Sequence, residues 1–336
     1  MILIDALYIN DGGGKVLLEY LIEELKNSEK EVFYLLDKRM EQDHLKLSIG
    51  NQVLFETASL SKRKRFYVKN KNTFSTILCF GNLPPNVRVK SKVYTYFHQL
   101  LFLKVPQEMP YHKKGMYYLK TRILNHYKKN TDFWLVQTNL VKESLSKKYV
   151  IKKEKIICKP FFPPLPRSVE NFERIQNQYL YVSNAPQHKN HVRLIEAFCT
   201  FYDDYQTGNL VLTVSDDFPI IKQLIIEKQD QNYPIQNIGF VDRYQLQKYY
   251  QQSQYVVYPS LTESFGLGIV EAIENGCKII AADLPYTYAV CEPSFVFNPH
   301  DEASMKQALI YSLENELQPS ITKVRNEINE VIKLLE

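Results

Sequence analysis

No apolar run in this sequence approaches the roughly 18 residues a helix needs to span a bilayer, so the chain reads as soluble or peripheral. Its five cysteines, Cys79, Cys158, Cys199, Cys277 and Cys291, are scattered and contain no C-x-x-C pair. That disfavours a disulfide framework and a zinc site, and it fits small buried apolar residues in a reducing cytoplasm. There is no repeat at a 20–50-residue period and no low-complexity segment. The G-x-G-x-x-G fingerprint and the P-loop spacing are both missing. Also missing are an Asp-x-Asp step and any His/Asp/Cys cluster at metal-ligand spacing, so no metal is expected. The opening run from Met1 breaks at Asp5 and lacks a basic n-region and a small-residue cleavage site, so it reads as a first strand rather than a signal peptide.

What is present suits a two-domain enzyme. A chain of 336 residues, 45% of them hydrophobic, can bury more than one core. Residues 1–165 hold 29 Lys and Arg against 15 Asp and Glu, whereas residues 166–336 hold 13 against 22. Such a split implies that only the first half faces an anionic partner. Short β-rich runs alternate with amphipathic stretches: 2–9, 32–36, 77–80, 93–97, 133–137, 179–183, 210–214, 255–258 and 278–282 as strands; 15–26, 140–149, 192–205 and 244–252 as helices. That alternation predicts parallel sheets covered on both faces. A proline-dense stretch, Lys159 to Pro166, falls at the charge boundary and reads as a linker. The expected division is an N-terminal domain over 1–160, a linker over 161–177 and a second domain over 178–320. A helix over 321–336 ends the chain, with packing back on the N-terminal domain as one arrangement.

The most informative segment runs from Tyr255 to Asp283: a buried strand, a Ser/Thr/Gly turn, a helix from about Gly266 to Asn275 stopped by Gly276, and a second buried strand. This is a βαβ unit whose loop leads into a helix N-terminus, where free backbone N–H groups favour an anion such as a diphosphate. Glu263 belongs to the loop and Glu271 to the helix. Carboxylates there suit sugar or ribose hydroxyls better than phosphate, which they repel.

The same run resembles the signature of retaining glycosyltransferases of family 4, a Pro-Ser step followed by two glutamates eight residues apart, matched here by Pro259, Ser260, Glu263 and Glu271. The resemblance implies the GT-B fold, an α/β architecture of two Rossmann-like domains with parallel sheets facing an interdomain cleft. It further implies that Glu263 holds the transferred sugar, that Glu271 holds the ribose, and that Ser264, Phe265, Gly266 and Leu267 present backbone amides to sugar and diphosphate. Around Val182 to His191 the sequence is similar to the family's phosphate-clamping segment: Lys189 takes the lysine position, but Asn184 stands where arginine is usual, leaving His188 as a candidate contributor. Gly239, in Gly239-Phe-Val-Asp242, looks like the loop that passes the nucleobase.

In the N-terminal half, Gly12, Gly13 and Gly14 join the first strand to the first helix, supplying positive φ and room against the backbone. In the family such a loop lies near the donor diphosphate. His98 stands just past an apolar strand, where open α/β sheets place ligand contacts, and resembles the N-domain histidine presented to the donor sugar. The basic run Lys62 to Arg65 and the segment Lys113 to Lys129 carry much of the charge. In the second, Met116, Leu119, Ile123 and Tyr127 recur at helical spacing, which suits either docking on the core or contact with anionic lipid.

These readings converge on a metal-independent, retaining transferase with no cofactor beyond its nucleotide-diphosphate sugar. The resemblance implies transfer of a hexose-type sugar to a glycan or polyprenyl-diphosphate-linked acceptor in bacterial surface polysaccharide synthesis. The expected place is the cytoplasm or the inner face of the cell membrane, with an anionic membrane surface as a partner. A GT-B epimerase, a phosphorylase or a basic nucleic-acid-binding protein are the alternatives. No nucleic-acid module is recognised, and no nucleic acid is expected as a partner.

Overall fold

A computed structural model of the chain describes residues 1–28, 30–42, 47, 50–105, 109, 111–166 and 172–336. It divides into two compact units, Met1–Pro163 with Arg325–Glu336, and Pro164–Val324. The linker expected over 161–177 lies outside the described residues at 167–171.

In the first unit the strands are β1 (Ile2–Ala6), β2 (Val32–Asp37), β3 (Gln52–Glu56), β4 (Thr76–Cys79), β5 (Lys92–Tyr96), β6 (Phe133–Val136) and β7 (Ile156–Cys158). They form a parallel sheet in the order β3-β2-β1-β4-β5-β6-β7. The order reverses between β1 and β4, and the carboxyl ends of strands at such a point diverge into a crevice. β1 and β4 are buried along their whole lengths, as continuous apolar runs in a doubly covered sheet should be, whereas the edge strand β3 has its first three residues exposed. Leu3, Leu35, Phe66, Phe74, Ile77 and Val93 form one core cluster, and Phe97, Leu124, Trp134, Val136, Leu145 and Ile156 another. The last helix, Ile328–Leu335, buries Ile328, Val331 and Leu335 in this unit and is tied to it by Lys159 Nζ on Glu327 Oε2 at 2.6 Å.

The second unit carries β8 (Ile175–Tyr181), β9 (Asn209–Leu212), β10 (Ile235–Asn237), β11 (Ser253–Tyr258), β12 (Lys278–Ala282), β13 (Cys291–Glu292), β14 (Phe295–Phe297) and β15 (Ile321–Thr322). Six of them form a parallel sheet in the order β10-β9-β8-β11-β12-β14, while β13 and β15 make a small antiparallel ribbon. Here the order reverses between β8 and β11. The rings of Tyr179 and Tyr255 stack across those two strands at 5.3 Å.

Three local expectations need correction. The three glycines do not form a tight loop: Gly12–Gly14 are the first turn of the helix Gly12–Glu24, and of the three only Gly12 has positive φ, at 59°. In the helix Tyr111–Tyr127 the apolar stripe divides: Ile123 and Tyr127 pack against the core beside buried Leu124, whereas Met116 and Leu119 are exposed. Lys62 to Arg65 is not a uniform surface patch either, because Arg63 is buried against Asp5.

Candidate functional site

In the second unit two loops leave the carboxyl ends of the central strands β8 and β11. The loop after β8 ends in Asn190, which adopts left-handed φ of 62° and donates from Nδ2 to the carbonyls of Pro259 (3.2 Å) and Pro299 (2.8 Å). Asparagine tolerates this conformation better than other residues with a Cβ. The amide of Leu261 donates to the carbonyl of His188 at 2.8 Å, and Tyr181 Oη donates to the carbonyl of Lys189 at 3.0 Å and pairs with Ser260 Oγ at 2.9 Å. These bonds lace the two loops together and deliver Lys189 to Glu263: Nζ lies 2.5 Å from Oε1, with both side chains largely withdrawn from water. Residues 74 apart in sequence thus form a charge-assisted pair. An ammonium held beside a carboxylate can meet a diphosphate without the carboxylate repelling it.

Glu271 is 3% exposed on the helix Leu267–Glu274. Arg243 Nη1 donates to its Oε1 at 2.8 Å and Tyr250 Oη to its Oε2 at 3.3 Å. Burial pushes its carboxyl above the usual range, while Arg243 and the Tyr250 bond pull the other way. Gly266 caps this helix with φ of 83°, and a Cβ there would lie 3.3 Å from Ile269 Cδ1. A Cβ on Gly268 would meet Tyr250 Oη at 3.3 Å, tighter than ordinary packing, while Gly266 is favoured as glycine by its positive φ. Phe265 is buried, and Leu267 begins the helix after Ser264 and Gly266.

Asn184 is exposed on its loop. Burial holds the His188 imidazole below its usual pKa, reinforced by Lys189 and opposed by Glu263. Gly239 turns the chain after β10 with φ of 67°, and Phe240 beside it is 83% exposed. A cavity of this unit, about 620 Å³, is bounded by Pro186, Gln187, His191, Arg193, Phe218 and Glu302 among others, and none of Lys189, Glu263 and Glu271 lines it.

In the first unit a cavity of about 530 Å³ opens beyond β1, β4 and β5, at the reversal of strand order. Gly12, Gly13, Gly14, Asn82 and His98 line it, with Tyr8, Phe102 and Tyr117 as aromatic walls. Asn82 Oδ1 accepts from the amides of His98 (2.7 Å) and Gln99 (2.9 Å), which fixes the orientation of its amide. Asn82 Nδ2 then faces His98 Nε2 at 3.4 Å. A Cβ on Gly14 would stand 3.3 Å from His98 Nε2, so this glycine admits the imidazole. Burial lowers the pKa of His98 to about 4 and that of His191 to about 3.

A histidine whose folded pKa is depressed favours the native state above its unfolded value, roughly 6.5, and loses that contribution as pH falls through the folded value. Urea midpoints followed by the fluorescence of Trp134, the single tryptophan, are therefore expected to fall between pH 6.5 and 4. The His98→Gln variant should show a shallower fall. Equal slopes for the two proteins would show that His98 is not held neutral by its surroundings.

Sequence reading missed four residues that organise these sites: Arg243, Tyr250, Tyr181 and Asn82. Arg243 directly follows the Gly239-to-Asp242 loop and was within reach. Tyr181 and Tyr250 read as ordinary β and helix residues, because their partners lie 79 and 21 positions away.

Two parallel-sheet α/β units, spanning 94% of this chain, align with sucrose-phosphate synthase from Thermosynechococcus elongatus at a TM-score of 0.72, with 17% identity and 89% of that chain covered. The Anabaena protein HepE, solved with UDP and glucose, aligns at 0.64 with 13% identity, covering 94% of this chain and 89% of that one. The fold is that of the GT-B glycosyltransferases. The family described as glycosyl transferases group 1 matches residues 167–332, a stretch that takes in most of the second unit. The O-antigen chain mannosyltransferase RfbU of Salmonella typhimurium is 27% identical over 179 residues, 50% of this chain and 47% of that protein. Alpha-monoglucosyldiacylglycerol synthase of Acholeplasma laidlawii is 27% identical over 178 residues, 48% of this chain and 44% of that protein. The chain spans about half the length of the curated relatives it matches. No described helix is long and apolar enough to cross a membrane.

Proposed function

We propose that this chain is a retaining glycosyltransferase of family 4 that moves a hexose-type sugar from a nucleotide diphosphate to a glycan or lipid-linked acceptor in bacterial surface polysaccharide synthesis. The observation that carries this reading is the Lys189–Glu263 pair at 2.5 Å beside the Gly266-capped helix that bears Glu271. Glu263 orients the sugar, Glu271 accepts ribose hydroxyls, and Lys189 with the amides of Ser264 to Leu267 stabilises charge on the leaving diphosphate. The leaving phosphate takes the acceptor's proton as the new bond forms on the same face, and no metal ion is required. His98 and Gly12–Gly14 belong to a carbohydrate-facing cavity of the first unit. The relatives named for mannosyl and glucosyl transfer support a hexose, and their polysaccharide and lipid names support the acceptor class.

A screen of sugar nucleotides by thermal stabilisation tests the reading, since a ligand at 100 times its Kd adds about 2.7 kcal/mol. Glu271→Gln is expected to weaken the stabilising donor by about 1.5–3 kcal/mol, the contribution of a charged hydrogen bond. Unchanged affinity in calorimetry would remove Glu271 from the donor site.

Peripheral attachment to an anionic membrane is part of the same proposal. The helix Tyr111–Tyr127 exposes Tyr111, Met116, Tyr118 and Leu119 among Lys113, Lys114, Lys120 and Arg122. Lys120 and Arg122 lie over the rings of Tyr117 and Tyr118, at 5.1 and 5.5 Å. Lys128 instead donates to the carbonyl of Tyr149 at 2.6 Å and belongs to the fold. Replacing Lys113, Lys114, Lys120 and Arg122 with glutamine is expected to cost about 1 kcal/mol each in binding to acidic vesicles. Equal co-sedimentation of wild type and variant would dismiss the membrane contact.

A further inference from the structure

Glu271 poses a chemical problem that its proposed role makes acute. A carboxylate that accepts ribose hydroxyls must be ionised, yet this one is 3% exposed and burial raises its pKa. The groups bearing on its proton, among the described residues, are Arg243 and Tyr250 from the helix Arg243–Gln252 and Glu274 from its own helix. Glu274 and burial favour the neutral acid. Tyr250, buried and with its pKa pushed well up, stays a neutral donor. Among these groups, that leaves Arg243 as the cation that opposes protonation.

We propose that Arg243 is a positioning residue of the donor site: its Nη1, 2.8 Å from Oε1, holds Glu271 ionised and in the orientation that accepts the ribose hydroxyls. The inference rests on the reading of Glu271 as the ribose contact. Geometry favours a positioner over a chance ion pair. Arg243 is the first residue of its helix, after Asp242, whose Oδ1 caps that helix by accepting from the amide of Gln245 at 2.8 Å. Its Nη2 reaches the carbonyl of Pro164 at 3.4 Å. Tyr250, two turns further along the same helix, contacts the second oxygen, so one rigid element addresses both oxygens of the carboxylate. A guanidinium suits the task because it stays charged in any protein setting and is planar and multiply donating.

The test is the pH dependence of nucleoside diphosphate binding to the full chain, by calorimetry with UDP and GDP and their 2′-deoxy counterparts, between pH 5.5 and 8.5. Wild type should bind the better of the two with a Kd that depends less on pH than that of Arg243→Gln. In Arg243→Gln burial is no longer opposed by the cation, so Kd should rise by about tenfold per unit as pH falls below the raised pKa of Glu271. Arg243→Lys should retain most of the wild-type profile. In a Glu271→Gln background, Arg243→Gln should add no pH dependence because the titrating carboxyl is gone, whereas a merely structural arginine would add none in either background. Far-UV circular dichroism checks that the variants fold, and if Arg243→Gln unfolds, Arg243→Met, which also removes the cation, takes its place with the same expected rise in Kd. A flat profile in Arg243→Gln, with wild type still preferring the ribonucleotide over its 2′-deoxy form, overturns the role of Arg243 alone. Loss of that preference in wild type, or failure to bind either nucleotide, overturns the reading of Glu271 on which it rests.

Discussion

Replacing Arg63 with alanine is expected to cost about 3–5 kcal/mol of stability, the cost of stranding one charge of a buried pair. Arg63 and Asp5 are each 1% exposed. Asp5 Oδ2 accepts from Arg63 Nε at 2.8 Å and from Tyr67 Oη at 2.6 Å, while Arg63 Nη1 and Nη2 donate to the carbonyls of Pro84 (2.7 Å) and Leu83 (2.9 Å). Burial works against the guanidinium charge, but Asp5 together with Tyr67, Cys79 and Tyr8 outweighs it and holds the pKa above the usual arginine value. Alanine at 63 therefore leaves an unpaired buried carboxylate and frees two carbonyls in the loop that carries Leu83 into the first unit's cavity. Asp5→Leu combined with Arg63→Met removes both charges and should recover most of the loss. Urea titration followed by Trp134, which lies in the same unit, measures it. An Arg63→Ala midpoint equal to wild type would mean that water reaches the pair.

Lys189→Ala and Glu263→Gln are each expected to lower kcat by about 10²–10³, the range for removing one preorganised charge-stabilising group. The two side chains are within 2.5 Å, so each depends on the other for its place: without Glu263 the ammonium is free to leave the loop, and without Lys189 the carboxylate repels the diphosphate. The double variant should accordingly lose far less than the product of the single losses. Transfer should also persist in EDTA, because the proposed charge stabilisation is ammonium and helix amide. Steady-state kinetics with the sugar nucleotide found by the stabilisation screen decide the matter. Retention of activity within about fivefold in either single variant, a difference near 1 kcal/mol, would place the chemistry elsewhere.

Local chemistry was enough to read the central strands. β1, β2, β4, β5, β6, β8, β9, β11 and β12 all overlap apolar runs recognisable by composition, because a strand covered on both faces is predominantly apolar. The edge strands β3, β7, β10 and β14 were not among them. Gln52–Glu56 is mostly exposed and Ile156–Cys158 is three residues long, so neither leaves a pattern distinct from a loop. The helix Leu267–Glu274 was legible from Gly266 and Gly276 at its ends.

The chain's order of residues was sufficient to specify two α/β units, their parallel strands and the glutamate pair on its loop and helix, since each follows from periodicity, breakers and spacing over a few dozen positions. Tertiary structure alone decided that Lys189 meets Glu263, that Arg243 and Tyr250 clamp Glu271, that Asn82 orients His98, and that Arg63 lies buried with Asp5 rather than on a basic surface. The physical reason is common to these cases. An arginine, tyrosine or asparagine has the same local propensity whether solvated or buried, and only the strand order, which brings β1 beside β4 and β8 beside β11, determines which distant polar group stands within hydrogen-bonding reach of it.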